Sequence, residues 1–459
     1  MPTPLAHNPE FSQAAFDTSR TTVGDALNAP IIGEAELVTL ADELYRRRHE
    51  DLSQLNAEEQ AAIITGKAAE VLPQAELLAA LTRSKTTGTP LEIKYGIDPT
   101  GANVHWGHAV PMLVLDRLQR MGHNITFVIG GMTAKIGDPT GRSTARPVLD
   151  DAQITQNLAT YAEQVRPLFD MSAVRVVNNK EWLENYSLGA LIDIALRVSG
   201  SELLQRDDFR TRLEGGTGLT LAEIMYPVVM AIDSQHLKPD IEIGGKDQLL
   251  NLQMCRTVMK IAGQRPEVII TTDMLQGTDG TGVKMSKSLG NYVALGDAPD
   301  EVFGKVMSIP DTLLREYFQM LTELQPGEWE QLQLRMQNGD INPMTVKLLL
   351  ASDIVAAVHG TEGAQRAKAN FVNKFSKRNY DDLSTDTPTL NPQGDVMAQL
   401  REARGGISGK EVRRLLAAGA LRHVSPSGTE RKLEDIDEIG NLGPGHLRVG
   451  KTVIKLITE

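Results

Sequence analysis

The stretch LEIKYGIDPTGANVHWGHAVPMLVLDRLQRMGHNITFVIGG, residues 91–131, changes its hydrophobic rhythm twice. LEIKYGI is a short apolar run of strand type, AVPMLVLDRLQRMG repeats its apolar residues at helical spacing, and NITFVIGG is a second strand. Val110, Leu113, Val114, Leu118 and Met121 form one apolar face of that helix, and Gly122 is a natural stop. Strand, helix, strand is the repeating unit of a parallel, doubly wound α/β sheet. In such sheets ligands bind beyond the carboxyl ends of the strands, where backbone amides at helix starts face anions. The junction GIDPTGANVHWGHA, residues 96–109, is such a place. His105 and His108 stand three apart, so one turn aims both the same way, and Gly107 lets a flat ring approach the backbone. Two imidazoles so placed would donate hydrogen bonds to phosphate oxygens. Two surface histidines capping a helix have the same spacing, and that alternative stays open at this point. No third ligand lies near enough in sequence to suggest a metal.

Strand-like segments return at PDIEIGG (239–245) and EVIITTDML (267–275), and a Gly-flanked loop, GVKMSKSLGN (282–291), presents Lys284 and Lys287 beside Ser286 and Ser288. Lysines on such a loop can grip a triphosphate as charge shifts to the departing pyrophosphate. The rest of the chain is organised around this sheet. Residues 1–85 are expected as a helical extension, about 145–220 as a helical insertion, 301–385 as a helical domain, 386–395 as a linker and 396–459 as a small α+β domain. With 459 residues, two to four domains are expected. A single cysteine, Cys255, excludes an internal disulfide framework. No apolar stretch is expected to span a membrane, and the first twenty residues lack the basic start and apolar run of an export signal, which implies a cytoplasmic protein. Net charge is −12, yet residues 401–459 hold 11 Lys and Arg against 8 Asp and Glu, so the C-terminus should meet a different, anionic partner.

HWGH and KMSKS resemble the two signature sequences of the class I aminoacyl-tRNA synthetases, the first with Trp106 where isoleucine is usual. GIDPTG, GGMTAKIGDPTGRS and IEIGGKDQLLN are similar to the tyrosyl branch of that class. The resemblance implies a Rossmann-like catalytic domain over 86–300, an anticodon-recognition domain over 301–385 and an alpha-L RNA-binding-like domain over 396–459. It implies that His105 and His108 hold the ATP phosphates, Thr100 helps stabilise the transition state, and Lys284 and Lys287 bind the departing pyrophosphate. Gly96, Asp98, Gly107, Gly245 and Asp247 would form the adenosine pocket. Thr133, Asp138, Tyr226 and Gln248 would hold the amino acid. ATP would arrive with Mg2+ as substrate, without a dedicated protein metal site. The implied partners are L-tyrosine, tRNA(Tyr) and a second copy in a homodimer.

Residues 219–237, LTLAEIMYPVVMAIDSQHL, begin with Thr220 and Glu223 at capping-box spacing, so a helix starts there. Tyr226, Met230 and Asp233 then share one face. An apolar stripe accounts for the first two but not for Asp233, whose carboxylate needs a partner. In the tyrosyl branch this Asp accepts the substrate phenol O–H, and such a site rejects phenylalanine because the carboxylate would be left unpaired; tyrosyl-tRNA synthetase is itself the reference example of that effect. Three positions depart from the pattern. Met230 replaces a glutamine, as in the tryptophanyl branch; Lys94 stands where many members have a tyrosine on the phenol, although one bacterial branch also has lysine; Lys246 fills the variable place in GGKDQ. Tyrosine leads, with tryptophan, a modified tyrosine and a non-catalytic RNA-binding paralogue as alternatives. In the tail, GISGKEVRRLLAAGALRHV (406–424) is expected as a helix with Lys410, Arg413 and Arg414 near one face, placed to contact RNA phosphates, followed by a hairpin in HLRVGKTVIKLITE.

Overall fold

The computed structural model describes residues 13–97, 104–139, 151–204, 207–215, 218–373, 388–404, 406–417, 419–425, 430–449 and 452–457. Asp98 and Thr100 lie outside the described residues. The chain divides into two units, Met1–Ala364 and Gln365–Glu459.

The first unit opens with helices α1 (Gln13–Asn28), α2 (Glu34–Arg47) and α3 (Ala57–Lys67), strand β1 (Glu70–Leu72) and helix α4 (Gln74–Thr87). The strand, helix and strand read from the sequence follow as β2 (Glu92–Ile97), α5 (Trp106–Arg120) and β3 (Asn124–Ile129). Next come α6 (Thr133–Ile136), α7 (Asp151–Val165), β4 (Arg175–Asn178), α8 (Lys180–Leu183), α9 (Leu188–Ala195), α10 (Gly200–Leu204), α11 (Asp207–Glu214) and α12 (Leu221–Leu237). Strand β5 (Ile241–Gly245), α13 (Leu249–Ile261) and β6 (Val268–Thr272) complete the sheet, and α14 (Pro299–Met307), α15 (Leu314–Leu321), α16 (Pro326–Gln337) and α17 (Pro343–Phe371) follow.

The sheet runs in the order β1-β6-β5-β2-β3-β4. All neighbours are parallel except β1, which pairs antiparallel with β6. From β2 the chain winds outward through β3 to β4, then returns to β5 beside β2 and winds the other way. The switch point therefore lies between β2 and β5, where a ligand crevice is expected. Strands β3, β5 and β6 are buried along almost their whole length, as the near-continuous apolar runs of a covered parallel sheet require. Helix α5 is enclosed more completely than one apolar stripe predicts: Asp116, Arg117 and Arg120 are buried along with Val110, Leu113 and Leu118. Gly122 takes a left-handed φ of 88° just past its end, where only glycine is unstrained.

Three expectations are corrected. The N-terminal segment is not a purely helical appendage, because Glu70–Leu72 supplies an edge strand paired through Val71 with Ile270. The insertion is not purely helical either, since Arg175–Asn178 adds β4 beside β3. Strands of three and four residues are too short to show a period, so only their partners decide them. Helix α17 is long and apolar enough to cross a membrane by length and composition, against the expectation of none. It is kinked at Gly360, and Val346, Leu350, Ile354 and Asp353 on it are buried in the protein.

The second unit has its own sheet and core. Strand β7 (Thr389–Leu390), helices α18 (Val396–Ala403) and α19 (Gly409–Ala417), and strands β8 (Leu421–Val424), β9 (Glu430–Lys432), β10 (His446–Val449) and β11 (Thr452–Leu456) build it. The sheet order is β7-β11-β10-β8-β9, around a core that includes Leu390, Leu400, Val412, Leu447 and Ile454. The expected tail hairpin is β10–β11. Residues 389–390, expected within the linker, are instead the parallel edge strand on β11, because Leu390 buries its side chain in that core. The basic helix ends at Ala417, earlier than expected, and its last residues turn into β8.

Candidate active site

The carboxyl ends of the two switch strands carry Gly96 on β2 and Gly245, Lys246, Asp247 and Gln248 at and after β5. A Cβ on Gly245 would lie 2.5 Å from the Asp247 carboxylate, so a larger residue there would push that exposed side chain aside. Lys246 is half-exposed between Glu70 and Asp273, at 3.6 and 3.8 Å.

His105 caps α5. It is in extended backbone, and its own N–H donates to His108 Nδ1 at 3.3 Å. That contact makes Nδ1 of His108 an acceptor, so a neutral His108 carries its proton on Nε2. The two rings stack at 3.7 Å between centroids. Burial, then the neighbouring His108 and Lys287, pushes His105 down to about 3; burial with Lys287 and Lys284 pushes His108 down to about 4. Both are therefore neutral near pH 7, and each offers one N–H to an anion. Nδ1 of His105 is buried without a hydrogen-bond partner among the described residues.

The lysine loop comes to the histidines through backbone pairing. Trp106 N–H donates to Val293 O at 3.0 Å, Leu295 N–H to Val104 O at 3.0 Å, and His105 and Ala294 form an antiparallel bridge. Met285 is buried and donates its N–H to Leu275 O at 2.8 Å, which anchors the centre of KMSKS while Lys284 stays exposed and Lys287 half-buried. A Cβ on Gly107 would stand 3.0 Å from the His105 ring and 3.6 Å from Met285, so glycine keeps both signatures in contact. Trp106, the odd residue of the first signature, faces the interior at 1% exposure. Its bulk fills the core and so does not compete with the histidine rings for space at the helix start.

The other half of the crevice is built on α12. Thr220 and Glu223 form the expected capping box. Tyr226 and Asp233 are buried; Met230 is partly buried against the apolar cluster that includes Val228, Ala231 and Ile232. Asp233 Oδ1 accepts from Trp182 Nε1 at 2.8 Å, and Oδ2 from Asn179 Nδ2 at 3.1 Å. Asn179 also donates to Thr133 Oγ1 at 3.0 Å and accepts from Met132 N–H at 2.9 Å, tying α6 to α12. Gln248 donates to Asp138 Oδ2 at 2.8 Å and accepts from Asn251 at 2.8 Å. Burial pushes the Asp233 carboxyl up to about 6, with Lys94, Asn179 and Trp182 pulling it back. Asn179 and Trp182 escaped the sequence reading because they follow β4, in the segment taken as helical.

Residues 85–376 match the family described as tRNA synthetases class I (W and Y). The chain belongs to this family. Among relatives of this synthetase, the tyrosine–tRNA ligase of Geobacter metallireducens is 37% identical over 399 residues, covering 86% of this chain and 98% of that one. A tyrosine–tRNA ligase 2 of Vibrio parahaemolyticus is 38% identical over 359 residues, 77% of this chain and 88% of that one. Among solved structures, the tyrosyl-tRNA synthetase of Archaeoglobus fulgidus in complex with L-tyrosine aligns with a TM-score of 0.52 at 21% identity, over 68% of this chain and all of that one. This last likeness shows a shared fold. The class I synthetase framework accounts for both signatures and for the α/β catalytic fold. In the second unit, Lys410, Arg413 and Arg414 are exposed on α19, with Arg414 paired to Glu411 at 2.6 Å.

Proposed function

We propose that this synthetase is a tyrosine–tRNA ligase. It joins L-tyrosine to ATP, with Mg2+ carried on the nucleotide, to form tyrosyl-AMP and pyrophosphate, then passes the tyrosyl group to the 3′ end of tRNA(Tyr). The observation that carries the amino acid assignment is Asp233, a buried carboxylate whose two oxygens already take N–H donors and keep lone pairs for a phenol O–H.

The tyrosine carboxylate attacks the α-phosphorus and the bond to pyrophosphate breaks. His105 and His108 donate to phosphate oxygens, Lys284 and Lys287 take up the charge that moves onto the leaving group, and Thr100 supports the transition state. A tRNA ribose hydroxyl then attacks the tyrosyl carbonyl and AMP leaves. Gly96, Asp98, Gly107, Gly245 and Asp247 shape the adenosine side; Thr133, Asp138, Tyr226, Met230 and Gln248 shape the amino acid side. The domain expected over 301–385 reads the anticodon, and Lys410, Arg413 and Arg414 contact tRNA phosphates. Leu188, Ile192 and Leu196, exposed at one-turn intervals on and just after α9, form an apolar stripe that a second copy covers in a homodimer.

Amino-acid-dependent exchange of pyrophosphate into ATP tests the reading. Tyrosine should support exchange, tryptophan and phenylalanine should not, and Asp233→Ala should abolish the preference for tyrosine over phenylalanine. Exchange with tryptophan and none with tyrosine would overturn it.

A further inference from the structure

Lys94 on β2 is 1% exposed, and its amine is held by Glu242 and Ser234. Nζ lies 2.7 Å from Glu242 Oε1 on β5 and donates to Ser234 Oγ at 2.8 Å. Ser234 is next to Asp233 on α12, and its hydroxyl lies 3.0 Å from Glu242 Oε2 and 3.2 Å from Glu267 Oε1. A hydroxyl has one proton, so it cannot donate to both carboxyls; with Lys94 donating to it, one of them must itself carry a proton. That one is Glu267: burial and the adjacent Glu242 hold it well above the usual carboxylate range, while Glu242, also penalised by burial, is held low by Lys94. Glu242, Glu267 and Cys255 place their donor atoms within 4.8 Å of one another, as a metal cage would, but the ammonium of Lys94 already supplies the positive charge there.

We propose that Lys94, held by Glu242 and Ser234, is a positioning residue for substrate specificity: its charge behind α12 keeps Asp233 ionised, and so keeps it an acceptor for the substrate phenol. This rests on the reading of Asp233 given above. Lys94 then acts through Asp233 and not by touching the amino acid. The groups that face Asp233 fit this assignment. Asn179 and Trp182 donate to it from the segment after β4, and His236 stacks on Trp182 with ring centroids 4.5 Å apart. Glu242 opposes its charge, Glu267 is neutral, and Lys94 is the cation that favours the ionised form. Without that cation Asp233 would hold a proton at neutral pH. A protonated carboxyl no longer needs the phenol as a donor, and the penalty against phenylalanine disappears.

Pyrophosphate exchange by the full-length enzyme, with tyrosine and phenylalanine from pH 5.5 to 8.5, tests this. In the wild type, kcat/KM for tyrosine should fall as pH drops through about 6, while the value for phenylalanine should not follow. In Lys94→Met the fall should move up by about two pH units, appear in KM more than in kcat, and cut the tyrosine-to-phenylalanine ratio at pH 7 by about tenfold. Lys94→Met/Glu242→Gln leaves no uncompensated charge and should show the same direction with a smaller shift, which keeps the test open if the single variant does not fold. An unchanged profile and ratio in a folded variant overturns the proposal. Asp233→Asn separates the two ideas. If it keeps the ratio, the reading of Asp233 fails; if it destroys the ratio while Lys94→Met leaves it intact, only the role of Lys94 fails.

Discussion

Two buried ionic clusters in the first unit obey the same physics and reach opposite results. Beside Asp233 one cation, Lys94, acts on the carboxyls of Glu242, Glu267 and Asp233. At the other end of α5, Arg47, Arg48, Arg117 and Arg120 meet Glu328, Asp353, Glu323 and Asp116. In the arginine cluster the guanidinium forks are almost fully used. Arg117 takes Glu323 with two bonds, at 2.7 and 3.2 Å, and also donates to Leu113 O and Thr322 O. Arg120 donates to Arg47 O and Glu50 O, and Arg47 grips Glu328 with two bonds of 2.8 Å. Segments more than two hundred residues apart are clamped in this way. Burial works to raise Glu323, but Arg117, Arg120 and Arg48 overcome it and hold the carboxyl down at about 2. In the lysine cluster the single cation cannot balance three carboxyls, so Glu267 is driven to the neutral form and Asp233 is pushed up to about 6. At Glu323, which faces three arginines, charge outweighs burial; at Glu267 and Asp233, with one cation for three carboxyls, burial prevails, as it also does at Asp116 and Asp353, each paired to one arginine.

The largest effect is expected at the clamp. Arg117→Met leaves Glu323 buried with less compensation and should lower unfolding free energy by about 3–5 kcal/mol in urea titration; a loss under about 1 kcal/mol would show that the cluster is not a clamp. Glu242→Gln strips Lys94 of its counter-ion and should cost on the order of 3 kcal/mol by the same measurement.

The clusters should also part in their response to acid. The folded-state carboxyl of Glu323 is depressed, so its contribution is fully present above its ordinary value near 4.5 and is lost as pH falls from there towards 2. The stability difference between wild type and Glu323→Gln should therefore shrink over that window. Asp233 has the reverse sign: raised to about 6, it penalises the fold above that pH, and the penalty fades as pH falls from about 6 towards 3.8. The smallest effect is expected for Glu267→Gln, within about 1 kcal/mol, because the carboxyl it replaces is already neutral. A cost as large as that of Glu242→Gln would refute the assignment of the shared proton.

Local pattern in the chain was enough for β2, α5, β3, β5 and β6, whose apolar runs and helical spacing are long, and for the capping box that starts α12. The two signature sequences were legible as motifs, yet nothing in their separation along the chain implied the bridge between His105 and Ala294 that joins their neighbourhoods. Strands β1, β4 and β7 were not legible, since two to four residues carry no period and acquire strand geometry only from a neighbour. Arg46, Arg47 and Arg48 form a basic run that could pass for a nucleic-acid patch in the sequence; folded, Arg47 and Arg48 are buried and all three are paired with carboxylates.

Residue types and spacing by themselves determined the parallel α/β class, the paired histidines at a helix start, the lysine loop and the face shared by Tyr226, Met230 and Asp233, because each of these is a property of one turn or one strand. Tertiary structure alone decided that Trp106 turns into the core, that Asn179 and Trp182 hold Asp233, and that Lys94 turns to Glu242 and Ser234. Those outcomes depend on which distant charges share a volume without water, and local sequence does not encode that.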